Sequence, residues 1–307
     1  MVADTVFIVN PRSANGRTGR RWPRYERFFR AALRTPFDVR RTQGPWHAAD
    51  LARSAVQAGA STIVSVGGDG TLNEVLNGFL DGTGRPWNPD ARIAVLSTGT
   101  GADFVRTLGV GREAADVAHR LNAGNTRMID VGRCAFMTAG ARRTRYFINV
   151  AEFGSGGAVV DRVNRTTKIL GGRMSFLVAI LRTLPGYRNT RVALEADGGP
   201  RQERIVNDVI VANGRFFGGG LMPAPHADLE DGLLDVVVIG DVDFRTVRRN
   251  LPALREGTHL DRPYVEHFRA KELAVHAGDE MIDLDGEFVG RRPTRFEVLP
   301  HAVRIVA

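Results

Sequence analysis

A glycine-rich segment with one carboxylate, Gly67-Gly68-Asp69-Gly70-Thr71, follows a short apolar run in the first quarter of the chain. Glycines let a backbone approach a ligand closely, and a helix that begins at Thr71 would offer free N–H groups to phosphate oxygens. Asp69 suits such a site if the phosphate arrives with Mg²⁺, or if the carboxylate accepts hydrogen bonds from a nucleotide or a neighbouring amide. The alternative is a tight turn in which Thr71 caps the helix.

Two further acidic segments could do chemistry near the end of the chain. Asp285 and Glu287 flank a glycine in IDLDGE, and either carboxylate could take the proton of a hydroxyl as it attacks phosphorus. Asp-Gly is also a common hairpin turn. The segment ADLEDGLLD, 227–235, suggests a hard-cation site made of carboxylate and main-chain oxygens, with a solvated acidic turn as the alternative.

The residues exclude a P-loop and argue against several other kinds of site. A P-loop needs Gly-Lys, but Lys168 and Lys271, the only lysines, do not follow glycine. GGDGT does not fit G-x-G-x-x-G, and the histidines lack zinc-ligand spacing. Cys134 is the only cysteine, which rules out an internal disulfide and fits a reducing compartment.

The order of apolar and helical segments predicts two domains. Residues 1–130 alternate strands at 6–9, 37–40, 62–66 and 92–96 with helices at 20–33, 46–58, 72–80 and 113–123, which favours a parallel sheet covered on both faces. Loops at 10–19, 67–71 and 97–104 follow three of these strands, where ligands bind in such sheets. Strand-like runs at 146–153, 190–196, 204–213, 233–240, 271–277 and 295–300 favour an antiparallel β-sandwich, with helices near 174–184 and 244–255.

The formal net charge of +8 favours polyanionic partners, either nucleic acid or an anionic membrane surface. Nearly all of this charge is arginine, so compositional bias is an equally good explanation. The sequence contains no run of about 18 apolar residues and no signal-peptide pattern. We therefore expect a soluble, cytoplasmic protein.

Six segments, in order, resemble the motifs of the diacylglycerol kinase catalytic-domain family, which includes lipid kinases, sphingosine kinases and, more distantly, NAD kinases. They are NPRSANG, GGDGTLNEV, STGTGADFVRTLG, VANGRFFGGG, PHADLEDGLLDV and IDLDGE. The chain is most similar to the soluble bacterial diacylglycerol kinases. It departs from their pattern at Ser97 and Ala102, where proline and asparagine are usual, and in the spacing of Ala14-Asn15-Gly16.

The resemblance implies an α/β fold: an N-terminal parallel-sheet nucleotide-binding domain (1–130, to which segment 293–307 returns) and a C-terminal antiparallel β-sandwich domain for the lipid (131–292). It implies that ATP and Mg²⁺ are bound by Asn10, Pro11, Arg12, Ser13, Ala14, Thr42, Gly67, Gly68, Asp69, Gly70, Thr71, Leu72, Asn73, Glu74, Gly99, Thr100 and Asp103. It also implies a mainly structural metal, held by the Asp231 side chain and backbone oxygens of Asp228 and Leu233. The general base would be Glu287 or Asp285, with Glu287 slightly favoured.

The expected function is that of an ATP-dependent lipid kinase that phosphorylates diacylglycerol or a related lipid to phosphatidic acid at the inner membrane surface. The alternatives are a soluble-substrate kinase of the NAD kinase type and a non-catalytic nucleotide-binding regulator. We expect no nucleic-acid partner, because no binding module is recognisable, and a homodimer is left open. The segment Lys168 to Arg188 suits peripheral contact with anionic lipid, or equally a buried helix.

Overall fold

The computed structural model of the chain describes residues 3–138, 140–165, 179 and 182–307. The described helices are α1 (Arg17–Ala32), α2 (His47–Gln57), α3 (Asp69–Phe79), α4 (Asp103–Leu108), α5 (Ala114–Ala123), α6 (Ser155–Arg165) and α7 (Phe244–Glu256). The described strands are β1 (Thr5–Val9), β2 (Phe37–Arg41), β3 (Thr62–Gly67), β4 (Arg92–Ser97), β5 (Thr126–Thr138), β6 (Ala141–Phe147), β7 (Val150–Gly154), β8 (Thr190–Ala196), β9 (Gln202–Val206), β10 (Asp208–Ala212), β11 (Leu234–Ile239), β12 (Val265–Ala270), β13 (Glu272–Ala277), β14 (Met281–Leu284) and β15 (Glu287–Val306). None of these helices is long and apolar enough to cross a bilayer.

The chain divides into two compact units. Unit 1 comprises Met1–Ile129 and His301–Ala307, and unit 2 comprises Asp130–Pro300. The segment that returns to unit 1 therefore starts at His301, inside β15, and not at residue 293. The expected boundary near residue 130 lies at the same place as the division between the units.

Unit 1 contains the predicted parallel sheet, which is confirmed. Its strands lie in the order β2, β1, β3, β4, all parallel, and Ile305 of β15 lies beside Ile93 of β4 in the same direction. Helices join successive strands because a parallel pair needs a crossover connection. Phe7 of β1 is fully buried between Trp22 and Phe29 of α1 and Phe37 of β2, with ring centroids 4.6 to 5.7 Å away.

Helix α3 begins earlier than the sequence predicts. Its first residue is Asp69 and its N-cap is Gly68, so the expectation that the helix opens at Thr71 is wrong. The Thr71 hydroxyl makes no capping bond and instead accepts a hydrogen bond from the Asn10 side-chain amide at 3.0 Å. Asp69 therefore lies in the first turn, where a carboxylate is favoured by the helix dipole.

Unit 2 is the predicted antiparallel sandwich, which is also confirmed. One run of strands follows the order β12, β11, β10, β7, β14, β15, and β15 continues through β13 and β8 to β9. Apolar side chains from these strands and from β5 and β6 form one core, including Phe147, Phe153, Ile282 and Phe296. Phe153 and Phe296 stack with their ring centroids 5.6 Å apart.

Two strands predicted as continuous are each divided in the structure. The run 146–153 is interrupted at Ile148 and Asn149, because both backbone N–H groups donate to the Asp285 carboxylate instead of a neighbouring strand. The run 204–213 is interrupted at Asn207, whose N–H donates to the backbone oxygens of Ile239, at the end of β11, and of Gly240. The predicted helix at 174–184 and the segment Lys168 to Arg188 lie largely outside the described residues.

Candidate functional site

Three loops lie at the carboxyl edge of the parallel sheet in unit 1. They follow β1, β3 and β4, and the parallel direction of these strands places all three at one edge. The Asn10 N–H donates to the Val66 carbonyl at 2.9 Å, and its side chain reaches Thr71. The loop after β1 is thus fixed to the start of α3.

A cluster of hydroxyl groups connects the first loop to the loop after β4. Ser13 Oγ donates to Thr18 Oγ1 at 2.6 Å, and Thr18 Oγ1 lies 2.7 Å from Thr98 Oγ1. Sequence analysis missed Thr18 and Thr98. Both could have been proposed from the sequence, because each is a hydroxyl residue next to a glycine in a loop that was predicted to bind the nucleotide.

Glycines permit the closest approach between the loops after β3 and β4. A Cβ atom on Gly99 would lie 2.6 Å from the Cα of Gly68, and one on Gly67 would lie 2.3 Å from Thr71 Oγ1. The N–H groups of Thr98 and Gly99 both donate to the Gly67 carbonyl, at 2.8 and 3.1 Å. A side chain at Gly99 would separate the loops, and one at Gly67 would displace Thr71, so close packing requires glycine at both positions.

Asp69 connects α3 to α4. Its carboxylate accepts hydrogen bonds from the backbone N–H groups of Asp103 and Phe104, both at 3.3 Å. Asp103 is itself buried and forms an ion pair with Arg106 at 2.7 Å. A carboxylate has about four acceptor positions, so these two bonds do not use its whole capacity. Asp69 thus has a structural role in addition to any contact with a nucleotide.

Ala102 precedes α4 with a φ of 54° and a ψ of 36°, in the left-handed region. Asparagine, which the resemblance places here, tolerates this conformation better than alanine does. Ala102 is buried, and its backbone adopts this left-handed turn although the asparagine side chain is absent.

The remaining residues predicted to bind ATP are distributed unevenly. Thr42 is buried beside the end of β1, since its N–H donates to the Val9 carbonyl at 2.9 Å. Leu72 and Asn73 are buried in α3, and the Glu74 carboxylate accepts the N–H of Ala48 at the start of α2. The other members of the set are half-buried or exposed. Gly70 lies in the first turn of α3, and the rest lie on the loops after β1 and β4: Pro11, Arg12, Ala14 and Thr100.

In unit 2, Asp285 and Gly286 form the two-residue turn between β14 and β15. Both have positive φ, 52° and 86°, as a type I′ hairpin turn requires. The Asp285 carboxylate accepts three backbone N–H bonds, from Ile148 at 2.9 Å and from Asn149 and Val150 at 3.0 Å. Asp285 therefore anchors the β6–β7 connection, and the half-buried Glu287 begins β15 directly after the turn.

The acidic turn that the sequence assigns to a metal is held by protein contacts. Asp231 forms an ion pair with Arg269 of β12 and accepts the N–H of Leu233 at 3.0 Å. Asp228 accepts the N–H of Glu230 at 3.0 Å. Within the described ranges, no group of three or more His, Cys, Asp or Glu side chains could hold a metal ion. Since Arg269 already neutralises Asp231, this donor set is a poor fit for a divalent cation.

The chain is similar to two protein families over most of its length. The sequence profile of the diacylglycerol kinase catalytic domain matches residues 4–134. The profile of the YegS C-terminal NAD kinase beta sandwich-like domain matches residues 149–307. The two matches follow each other along the chain, and the first includes all three loops of unit 1.

Curated relatives carry consistent names. A diacylglycerol kinase of Mycobacterium tuberculosis is 31% identical over 263 residues, which are 83% of this chain and 80% of the relative. A diacylglycerol kinase of Bacillus subtilis is 28% identical over 84% of this chain and 82% of its own length. A protein of Pseudomonas aeruginosa named probable lipid kinase YegS-like is 31% identical over 87% of this chain and 83% of its own.

Solved structures share the fold. A diacylglycerol kinase from Bacillus anthracis superposes with a TM-score of 0.69 at 20% identity, covering 100% of this chain and 97% of that chain. An NAD kinase from Archaeoglobus fulgidus in complex with ATP gives a TM-score of 0.52 at 14% identity, covering 99% and 93%. At these identities the likeness concerns the fold alone.

Proposed function

The chain belongs to the diacylglycerol kinase family of lipid kinases, and on this premise we propose that it transfers the γ-phosphate of ATP to the hydroxyl of diacylglycerol or a related lipid, giving phosphatidic acid. The observation that best supports the proposal is the close packing of GGDGT against the STGTG loop at the carboxyl edge of the parallel sheet. Phosphoryl transfer asks a protein mainly to position and neutralise phosphates. A rigid set of backbone N–H groups at a helix N-terminus suits that task.

ATP would be bound by unit 1. The start of α3 at Gly68 to Gly70 offers N–H groups that have no partner earlier in the helix. Asn10 and Thr71 fix the position of this turn, and Gly99 allows the neighbouring loop to come close. Magnesium, when bound with ATP, would neutralise phosphate charge, and Asp69 is the carboxylate of these loops best placed to hold it.

Glu287 is the proposed general base. Asp285 has both oxygens directed to the three amides of the β6–β7 connection, so its position is fixed by that task. Glu287 lies at the first position of β15, next to a turn whose geometry Asp285 and Gly286 determine. A carboxylate there could accept the proton of the lipid hydroxyl as the bond to phosphorus forms.

A lipid acceptor requires that the protein reach a bilayer, and we propose peripheral association with anionic lipid. The net charge of +8 supports attraction to such a surface. Binding to anionic vesicles at low salt, lost as salt rises, is the expected result. Equal sedimentation with neutral and anionic vesicles would contradict an electrostatic contribution.

The deciding experiment offers the purified protein labelled ATP, magnesium and either diacylglycerol in anionic vesicles or NAD in buffer. We expect labelled phosphatidic acid from the first mixture, formed about 100-fold more slowly by the Glu287→Gln protein. Labelled product from NAD alone would favour the second candidate, a kinase of the NAD kinase type. The chain shares only its fold with a solved NAD kinase, whereas the names of the curated relatives favour a lipid.

A further inference from the structure

Three carboxyl groups are buried together in unit 2, on neighbouring strands. They belong to Glu152 of β7, Asp208 of β10 and Asp283 of β14, and their exposed fractions are 1%, 6% and 3%. Asp283 lies directly opposite Glu152, and Asp208 lies opposite Gly154, two residues further along β7. Opposing residues of antiparallel strands project to the same face. The three carboxyl groups therefore share the sheet face that lies opposite the sandwich core.

The first turn of α6 covers Glu152. A Cβ atom on Gly156 would lie 2.3 Å from the carboxyl carbon of Glu152 and 2.5 Å from each of its oxygens. A Cβ atom on Gly157 would lie 2.1 Å from the Met281 carbonyl oxygen at the start of β14. Only glycine allows the helix to lie this close to β7 and β14, and the close approach keeps water from the carboxyl groups.

Glu152 receives no hydrogen bond from a donor among the described residues, and Asp283 receives one from the backbone of Gly286. Both oxygens of Glu152 and Oδ1 of Asp283 are buried without a donor. Asp208 differs, because its Oδ1 accepts the Gly156 N–H at 3.3 Å. Two adjacent carboxylates with three unpartnered oxygens between them would be costly to bury, whereas one added proton converts the pair into a hydrogen-bonded acid and carboxylate.

The surrounding charges favour retention of this proton. Burial raises the pKa of Glu152 well above its ordinary value, and the nearby Asp283 raises it further. Burial also raises the pKa of Asp283, together with the charges of Asp285 and Glu287, while its hydrogen bond with Glu152 acts in the opposite direction.

Most of the other titratable groups near the pair are acidic. Burial and the Glu152 charge raise the pKa of Asp208. Glu280 precedes β14 and accepts a hydrogen bond from the Tyr187 hydroxyl at 3.0 Å. The charged residues of α6 whose side chains are described are Asp161, which is half-buried, and Arg162, which is exposed.

We propose that Glu152 and Asp283 share one proton and act as positioning residues for Glu287, by joining β14 to β7 beneath α6. Asp283 lies two residues before Asp285, whose carboxylate holds the residues that lead into β7. Asp283 and Asp285 thus fix the end of β14 and the following turn to β7 and to the residues that lead into it. The catalytic part of this inference rests on the proposed function, and the shared proton does not.

The shared proton predicts how stability depends on pH. For a carboxyl group whose pKa is raised by folding, the stabilisation is complete below the ordinary pKa and is lost as the pH rises through the folded-state value. The melting temperature, Tm, of the wild type should therefore fall as the pH rises above the ordinary carboxyl pKa of about 4. Glu152→Gln keeps the volume and offers an N–H donor to Asp283 without a titrating proton, so its profile should be flatter. At the alkaline end its Tm should exceed that of the wild type by about 3 °C or more.

The matched control is Glu203→Gln, which changes an exposed glutamate on β9 that pairs with Arg191. It should keep the wild-type slope. Infrared difference spectra provide a direct check: the carbonyl band of a protonated acid should weaken in the double variant Glu152→Gln and Asp283→Asn, but not in Glu203→Gln. A Glu152→Gln protein that melts below the wild type at alkaline pH, or a flat wild-type profile, would overturn the shared proton.

The positioning role is tested by the pH dependence of lipid phosphorylation. In the wild type, kcat should fall at alkaline pH as the pair loses its proton, and Glu152→Gln should retain activity to higher pH with an unchanged KM for ATP. Identical alkaline limits in the two proteins would refute the positioning role. If neither protein phosphorylates lipid at any pH, the proposed function fails, while the melting profiles still decide whether the proton is shared.

Discussion

Replacing Gly99 by alanine tests whether the close approach of the two glycine loops is needed for activity. The new Cβ atom would lie 2.6 Å from the Cα of Gly68, a backbone atom that cannot rotate away. Carbon atoms prefer separations of about 3.5 to 4.0 Å, so the loops must move apart by about 1 Å. A displacement of about 1 Å in a reacting group typically lowers the rate by about 100-fold.

Gly82→Ala is the matched control, because a Cβ atom on Gly82 would meet nothing within 4 Å. We expect kcat/KM for ATP to fall by about 100-fold in Gly99→Ala and to stay within about twofold of the wild type in the control. Circular dichroism and calorimetric ATP binding would separate loss of fold from loss of the site. A folded Gly99→Ala protein with wild-type ATP binding and turnover would refute the argument, since the loops would then tolerate separation.

Three further substitutions test individual carboxylates. Asp69→Ala should abolish most activity. It should also lower the free energy of unfolding by about 1 kcal/mol, because the N–H groups at the start of α4 lose their acceptor. Normal turnover in a less stable protein would show that Asp69 has only a structural role. Glu287→Gln should lower kcat by about 100-fold with ATP binding unchanged in calorimetry, and near-normal kcat would return Asp285 to consideration as the base. Asp231→Ala should lower Tm through loss of the Arg269 ion pair, measured with and without magnesium. If magnesium without nucleotide raises Tm in the wild type and not in this variant, the turn binds metal after all.

The parallel sheet of unit 1 could be predicted because its signals are local. Each strand is a short apolar run, each helix has its own periodicity, and the loops at the carboxyl edge follow from the parallel direction. The start of α3 was misplaced by two residues, because the Thr71 hydroxyl that looks like a cap is used by Asn10, far away in sequence. Local patterns cannot reveal such a partner.

Unit 2 shows the same limit more clearly. The interruption at Ile148 and Asn149 depends on the Asp285 carboxylate, which lies more than a hundred residues later. The pairing of Glu152 with Asp283 depends on the register between β7 and β14. In the sequence, Glu152 is one acidic residue in an apolar strand, and only the strand pairing places a second carboxyl group opposite it. The candidate base could be proposed from its motif, but not the groups that position it.

The division of β15 between the two units affects the order in which the protein can fold during synthesis. Residues 301–307 belong to unit 1, and Ile305 is fully buried beside β4, yet the whole of unit 2 precedes them in the chain. At bacterial and eukaryotic elongation rates, the edge of β4 would wait on the order of ten seconds for its neighbour. An unpaired strand edge is prone to associate with other chains. The sheet of unit 1 is therefore completed only when the last residues of the chain have been synthesised. A nascent chain stalled within unit 2 would leave the edge of β4 unpaired and prone to aggregation.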